Sequence, residues 1–230
     1  MRKLGLIGGM SWRSTRTYYE HINRLVEARA GSNASAPLLI ENLDFRELVR
    51  LSNDEDWARA AGVLTESARR LEAAGAGALV VAANSMHKVY DQVAQAVSVP
   101  ILHIADCVAE RMAAKGVKKA ALLGTRPVML ENFYRQKLIE REIELLPPEM
   151  NDVETLDRII YGELIQGKAT RQAERACKTI ITNLAQDGAQ AIVLGCTELE
   201  MVVPVANVLP IYDGTRIHAE AAAEWILGSE

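Results

Sequence analysis

Cys196 is the side chain of this sequence best placed to do chemistry. It follows the apolar run 189–194, and Thr197 and Glu198 come directly after it, where a helix could begin. Backbone N–H groups at the start of a helix stabilise a thiolate, so the position predicts a lowered thiol pKa. A small buried hydrophobic residue is the alternative, because most free cysteines are of that kind.

Polar side chains also follow a second apolar run, residues 78–83. Asn84, Ser85 and His87 come at its end, where hydroxyl, amide and backbone N–H groups suit the binding of a carboxylate. Capping of the next helix is the alternative, since Asn and Ser both do this well. His218, near the start of the last predicted helix, is more typical of a buried polar residue than of a catalyst.

A double glycine precedes Met10 and Ser11 and resembles a loop over which a ligand approaches the backbone. It is not GxGxxG, so a dinucleotide site has little support. The chain also lacks HExxH, a Walker loop and GxSxG, which removes the basis for metalloprotease, P-loop and serine-hydrolase hypotheses.

Short apolar runs alternate with longer amphipathic segments, a pattern typical of α/β proteins with parallel sheets covered by helices. The predicted strands lie near residues 3–8, 37–43, 78–82, 101–104, 118–123, 143–146, 189–194 and 210–212. The predicted helices lie near residues 14–30, 55–74, 85–96, 105–116, 126–140, 153–166, 169–187 and 215–227.

The two halves of the chain repeat this order with similar motifs. Residues 4–10 match 120–125, and residues 78–85 match 191–198. We therefore predict two pseudo-symmetric lobes, residues 1–98 with 210–230 and residues 99–209. Ligands of such sheets bind outside the carboxyl ends of the strands, so we expect the active site in a cleft between the lobes.

The composition is typical of a globular protein and gives no support for binding to nucleic acid or insertion into a membrane. The 230 residues are 49% hydrophobic and carry a formal net charge of −4, which gives no reason to expect a nucleic acid partner. No apolar run approaches the roughly 20 residues of a membrane span. Three widely spaced cysteines make neither a disulfide framework nor a zinc motif, so we expect reduced thiols and a cytoplasmic protein.

Several motifs, in order along the whole chain, resemble those of the aspartate/glutamate racemase family, with most similarity to its broad-specificity branch. They are LIGGMSW at residues 6–12, NSMHK at 84–88, LLGT at 122–125, LGCTE at 194–198 and IHAE at 217–220. The resemblance implies an enzyme that needs neither pyridoxal phosphate nor a metal ion and acts on an amino acid. It also implies a homodimer.

The resemblance also implies site residues. Members of the family use two cysteines on opposite faces of the substrate α-carbon, and the second of these corresponds to Cys196. The family's contacts to the substrate carboxylate and amino group correspond to Asn84, Ser85, Thr125 and Thr197, with Met10 and Ser11 lining the cleft. Arg46 lies in the loop where specific aspartate racemases hold a distal carboxylate, although a solvated surface arginine is as good an interpretation.

Ala83 stands where the family has its first cysteine. A methyl group cannot transfer a proton, so a water, Ser85 or His87 would have to serve that face, and racemisation would be slow or one-sided. One alternative is a single-cysteine decarboxylase or lyase of the same superfamily. Another is a homologue that binds an amino acid but no longer turns it over.

Overall fold

The computed structural model describes residues 1–49, 51–204 and 206–228. The chain divides into two compact units. Unit 1 is Met1–His103 together with the C-terminal segment from His218, and unit 2 is Ile104–Ile217. Each unit contains a four-stranded parallel sheet flanked by helices, which confirms the predicted α/β fold class.

The strands are β1 (Leu4–Gly8), β2 (Leu38–Asn42), β3 (Ala78–Val81), β4 (Ile101–Leu102), β5 (Lys119–Gly124), β6 (Glu144–Leu145), β7 (Ala191–Gly195) and β8 (Ile211–Asp213). The helices are α1 (Trp12–Ala30), α2 (Asp54–Ala73), α3 (Tyr90–Ala94), α4 (Ile104–Ala114), α5 (Arg126–Leu130), α6 (Asn132–Ile139), α7 (Met150–Gly162), α8 (Arg171–Gln186) and α9 (Gly214–Leu227). The sheet orders are β2-β1-β3-β4 in unit 1 and β6-β5-β7-β8 in unit 2.

The central strands of unit 1 are apolar because helices cover both faces of the sheet. Leu4 and Leu6 of β1 pack with residues of α1 and α9, whereas Ile7 packs with residues of α2. The alternation follows from the two-residue period of a strand. Asn53 caps α2, because its side chain accepts a hydrogen bond from the backbone N–H of Asp56.

Unit 2 repeats this arrangement around β5 and β7. Ala121 and Leu123 of β5 share a core with α7 and α8, whereas Leu122 packs with residues of α4 and α6. The two glycines at the ends of these strands, Gly124 and Gly195, are paired in register. A Cβ on Gly124 would lie 2.9 Å from the Gly195 carbonyl oxygen, so the backbones approach closely there.

The structure differs from the sequence prediction at several boundaries. The helix predicted up to about residue 140 is two helices, because Glu131 adopts an extended conformation between α5 and α6. The units divide after residues 103 and 217 rather than after residues 98 and 209. The reason is strand pairing, since β4 joins β3 and β8 joins β7. Within the described residues, no helix has the length and apolar character that crossing a membrane requires.

Candidate active site

The end of β7 carries a buried pair formed by a thiol and a carboxylate. Cys196 follows the strand in an extended conformation, and Glu198 lies in the 3₁₀ turn Thr197–Met201. Each residue is only 8% exposed. The Cys196 Sγ–H donates to Glu198 Oε2 over 3.3 Å, and this contact favours the protonated thiol at rest.

Burial raises the pKa of the Cys196 thiol well above its usual range, and the negative charge of Glu198 raises it further. Backbone N–H groups of Glu198 and Leu199 act in the opposite direction. The sequence predicted a lowered pKa here. That prediction is wrong, because desolvation and the neighbouring carboxylate outweigh the two N–H groups.

Two predicted site residues of unit 2 are threonines. Thr197 is the residue after Cys196, and Thr125 follows β5, the strand that pairs with β7. Thr125 is 7% exposed, and its Oγ1 has no hydrogen-bond partner within the described part of the chain. Thr197 Oγ1 lies 2.8 Å from Thr215 Oγ1. The N–H of Thr215 in turn donates to Asp213 Oδ1 over 2.9 Å. Thr215 was not among the predicted site residues.

In unit 1, Ala83 and Asn84 follow β3 and are both buried. The Ala83 side chain belongs to the apolar core between the sheet and α2. Asn84 makes no side-chain capping bond to the following 3₁₀ turn Ser85–Val89, and its Oδ1 has no partner among the described residues. Helix capping therefore does not account for Asn84. Ser85 is half-buried at the start of that turn.

His87 lies within a cluster of rings in unit 1. The Ala83 carbonyl can only accept, so His87 Nδ1–H donates to it over 3.0 Å. The imidazole centroid lies 4.7 Å from that of His103 and 5.7 Å from that of His218, and Tyr90 stacks on it at 6.4 Å. The side chain is 2% exposed, and these contacts hold its ring in the interior of the unit.

His218 connects three elements of unit 1. Its Nε2–H donates to the Leu102 carbonyl over 3.0 Å, so Nδ1 is the nitrogen that accepts the Tyr18 hydroxyl at 2.8 Å. Burial lowers the pKa of His218 to about 3, with a further contribution from His87. The ring is therefore neutral at physiological pH, and both of its nitrogens have protein partners.

Arg46 lies at the surface in a short 3₁₀ turn, Phe45–Glu47, after β2. Its guanidinium binds the carboxylate of Asp44 through both Nε and Nη2. This pairing raises the pKa of Arg46 and lowers the pKa of Asp44 to about 2. In this arrangement the guanidinium is already engaged by an anion of the protein.

Met10 and Ser11 lie in a tight loop between β1 and α1, and both are buried. Gly9 in this loop has φ of +89°, and a Cβ there would lie 2.1 Å from the Leu43 carbonyl oxygen. Only glycine fits this position. Across the residues that the structure describes, no three His, Cys, Asp or Glu side chains are grouped so that they could hold a metal ion.

A comparison with protein families identifies the family of this chain. The Asp/Glu/hydantoin racemase model matches residues 7–222. The chain belongs to this family. The motifs at the strand ends predicted this membership, which is confirmed.

Individual relatives agree with the family match. The chain is 22% identical to the broad-specificity amino-acid racemase RacX of Bacillus subtilis, over 97% of this chain and 98% of RacX. A candidate Asp/Glu racemase from Yersinia pestis has a crystal structure with a TM-score of 0.91 and 42% identity, over 99% of this chain and 100% of that one. An aspartate racemase homologue from Pyrococcus horikoshii gives a TM-score of 0.83 and 32% identity, over 99% and 100% of the two chains.

Proposed function

We propose that this protein is a cofactor-independent amino-acid racemase in which Cys196 moves the proton of the substrate α-carbon. Family membership supports the reaction class. The observation that carries the assignment to Cys196 is its buried hydrogen bond to Glu198 at the end of β7. A thiol next to a carboxylate has a proton acceptor within direct reach, and an adjacent base of this kind can activate a thiol.

The proposed proton path uses both members of the pair. Glu198 accepts the S–H proton of Cys196 while the resulting thiolate takes the Cα proton, which leaves a carbanion conjugated with the substrate carboxylate. In the opposite direction the Cys196 thiol gives its proton to Cα, and the proton held by Glu198 returns to sulfur. The raised pKa of Cys196 keeps its sulfur protonated at rest, which is the form that can give a proton to Cα.

In this proposal a group other than a cysteine transfers the proton on the other face of the α-carbon. Ala83 has no acidic proton, and His87 is already bound to the Ala83 carbonyl in the interior of unit 1. A water, or the hydroxyl of the half-buried Ser85, is the remaining group for that face. Since either is a far weaker acid than a thiol, this step limits the rate, and racemisation is slow or Cα proton exchange is confined largely to one enantiomer.

The proposed substrate contacts are Asn84, Ser85, Thr125 and Thr197, together with Met10 and Ser11. Two of these residues carry buried oxygens, Asn84 Oδ1 and Thr125 Oγ1, that lack a partner among the described residues. An unsatisfied buried polar atom costs about 1–3 kcal/mol. A substrate ammonium can donate to the Asn84 oxygen, and a substrate carboxylate can accept from the Thr125 hydroxyl.

A second candidate function is a one-sided decarboxylase or lyase. The protonated state of Cys196 and the apolar Ala83 favour it, since a decarboxylase needs a single acid and an apolar pocket for the departing CO₂. Release of CO₂ from substituted malonates, with no conversion of any amino acid, would select this alternative.

Chiral chromatography tests the proposal. The parent protein and the variants Cys196→Ser and Cys107→Ser are incubated with separate L- and D-amino acids. Cys107 lies in α4, outside the proposed site, and serves as the matched control. We expect interconversion by the parent and by Cys107→Ser, and none by Cys196→Ser. An active Cys196→Ser protein contradicts the mechanism.

A further inference from the structure

We propose that Thr15 is a positioning residue for the glycine loop, defined as residues 8–11, which carries Met10 and Ser11. The inference rests on the proposed function, because that proposal places Met10 and Ser11 against the substrate. Thr15 lies one turn into α1, is 8% exposed and is absent from the set of predicted site residues.

The hydroxyl of Thr15 makes two contacts with this loop. The Gly9 N–H donates to Thr15 Oγ1 over 2.7 Å. The same hydroxyl donates to the Ser11 carbonyl over 3.1 Å. One side-chain oxygen thus links the residues on both sides of Met10 and fixes the distance between them.

The Thr15 side chain packs tightly against the backbone of the glycine loop. A Cβ on Gly8 would lie 2.5 Å from Thr15 Oγ1 and 2.6 Å from its Cγ2, so the threonine packs directly on the loop backbone. The Leu43 N–H also donates to the Gly8 carbonyl over 3.0 Å. The loop is therefore held by hydrogen bonds with the backbone after β2 and with the Thr15 side chain.

Removal of the hydroxyl would leave the buried Gly9 N–H without its acceptor, while the backbone bond from Thr15 to Ser11 remains. Helix α1 would still begin at the same residue, but the loop would lose the contact that sets its conformation. A displacement of about 1 Å in a substrate-positioning group can lower a rate by up to about a hundredfold. The expected effect therefore falls on turnover more than on folding.

The test compares Thr15→Val, Thr15→Ser and Thr17→Val with the parent protein. Valine has the shape of threonine without the hydroxyl, and serine keeps the hydroxyl without the methyl group. Thr17 provides the matched control, because its hydroxyl makes an equivalent bond within α1, to the Arg13 carbonyl at 3.2 Å, and no hydrogen bond to the described residues of the glycine loop.

For racemisation, we expect kcat/KM to fall about tenfold or more in Thr15→Val, with changes in both kcat and KM. Thr15→Ser should recover most of the activity even where its melting temperature is lower than that of the parent, and Thr17→Val should match the parent. Equal kcat/KM values for folded Thr15→Val and the parent overturn the proposal. An equal loss in Thr17→Val also overturns it.

Amide hydrogen exchange at Gly9 provides a readout that does not depend on activity. We expect faster exchange in Thr15→Val than in the parent, Thr15→Ser or Thr17→Val. Unchanged exchange in Thr15→Val overturns the role of Thr15. If the parent converts no amino acid, the proposed function fails, and the exchange measurement alone decides whether Thr15 anchors the loop.

Discussion

Mild acid should destabilise the fold through His218, because the imidazole gains a proton when the chain unfolds but stays neutral in the folded state. The ring is fully buried. It accepts a hydrogen bond from the Tyr18 hydroxyl and donates one to the Leu102 carbonyl. Protonation would place a proton on Nδ1, which would break the bond from Tyr18 and bring a charge into the ring cluster that also contains His87. The perturbation is a change from pH 8 to pH 5, applied to the parent and to His218→Gln.

The magnitude follows from the pKa of His218, which burial lowers from 6.5 to about 3. Because the pKa is lower in the folded state, the stabilising contribution is complete above the unfolded value. It is lost as the pH falls towards the folded value. At pH 5 the unfolded chain has gained a proton that the folded chain has not, which costs about 2 kcal/mol. For a chain of this length, a loss of about 2 kcal/mol lowers the melting temperature by about 4–8 °C.

Thermal unfolding followed by circular dichroism at pH 8 and pH 5 measures this effect. The decrease in melting temperature should be about 4–8 °C larger for the parent than for His218→Gln. His21→Gln is the control for a histidine outside the ring cluster, and it should behave as the parent. An equal decrease in the parent and in His218→Gln would refute the assignment of the pH dependence to His218.

Three further predictions concern the proposed site and the loop beside it. Glu198→Gln removes a negative charge, so the pKa of Cys196 should fall and its alkylation by iodoacetamide at pH 8 should accelerate. The alkylation rate of Cys177, whose pKa burial raises to about 11, should not change. Ala83→Cys supplies a thiol for the second face and should raise the racemisation rate; no gain in a folded variant would argue against a missing acid on that face. Gly9→Ala should lower the free energy of unfolding, measured in urea, by about 1–3 kcal/mol, because its φ is +89° and its Cβ would clash with a backbone carbonyl.

The sheet strands could be predicted because their sequences carry the signal locally. Residues of β1, β3, β5 and β7 form apolar runs that end in glycine or polar residues, as fully buried parallel strands do. The break between α5 and α6 could not be predicted in the same way. Glu131 is an ordinary helix former, and its extended conformation depends on tertiary context rather than on propensity.

The location of Cys196 followed from its place after β7, but its electrostatic environment did not. A sequence shows that Glu198 is two residues away, yet only the 3₁₀ turn brings its carboxylate to the thiol. Local N–H groups predicted a lowered pKa, whereas desolvation depends on how much of the fold covers the side chain. Burial of this kind is a property of the packed structure.

The sequence favoured a buried polar residue at His218, as the structure shows, but it could not identify the partners of the ring. Its partner Tyr18 is 200 residues away in the chain, and Leu102 is 116 residues away. No periodic pattern connects residues at such separations. The IHAE motif at 217–220 was one of five motifs that pointed to the family, but only the packed structure shows which groups the histidine ring contacts.

The central claim, proton transfer at Cα by Cys196, is tested most directly by deuterium incorporation in D₂O. NMR would follow the Cα position of each amino acid in a panel of L- and D-enantiomers, with the parent, Cys196→Ser and Cys107→Ser. We expect deuterium at Cα of at least one amino acid with the parent and with Cys107→Ser, and none with Cys196→Ser. Undiminished exchange with Cys196→Ser, or no exchange with the parent for any amino acid, would contradict the account.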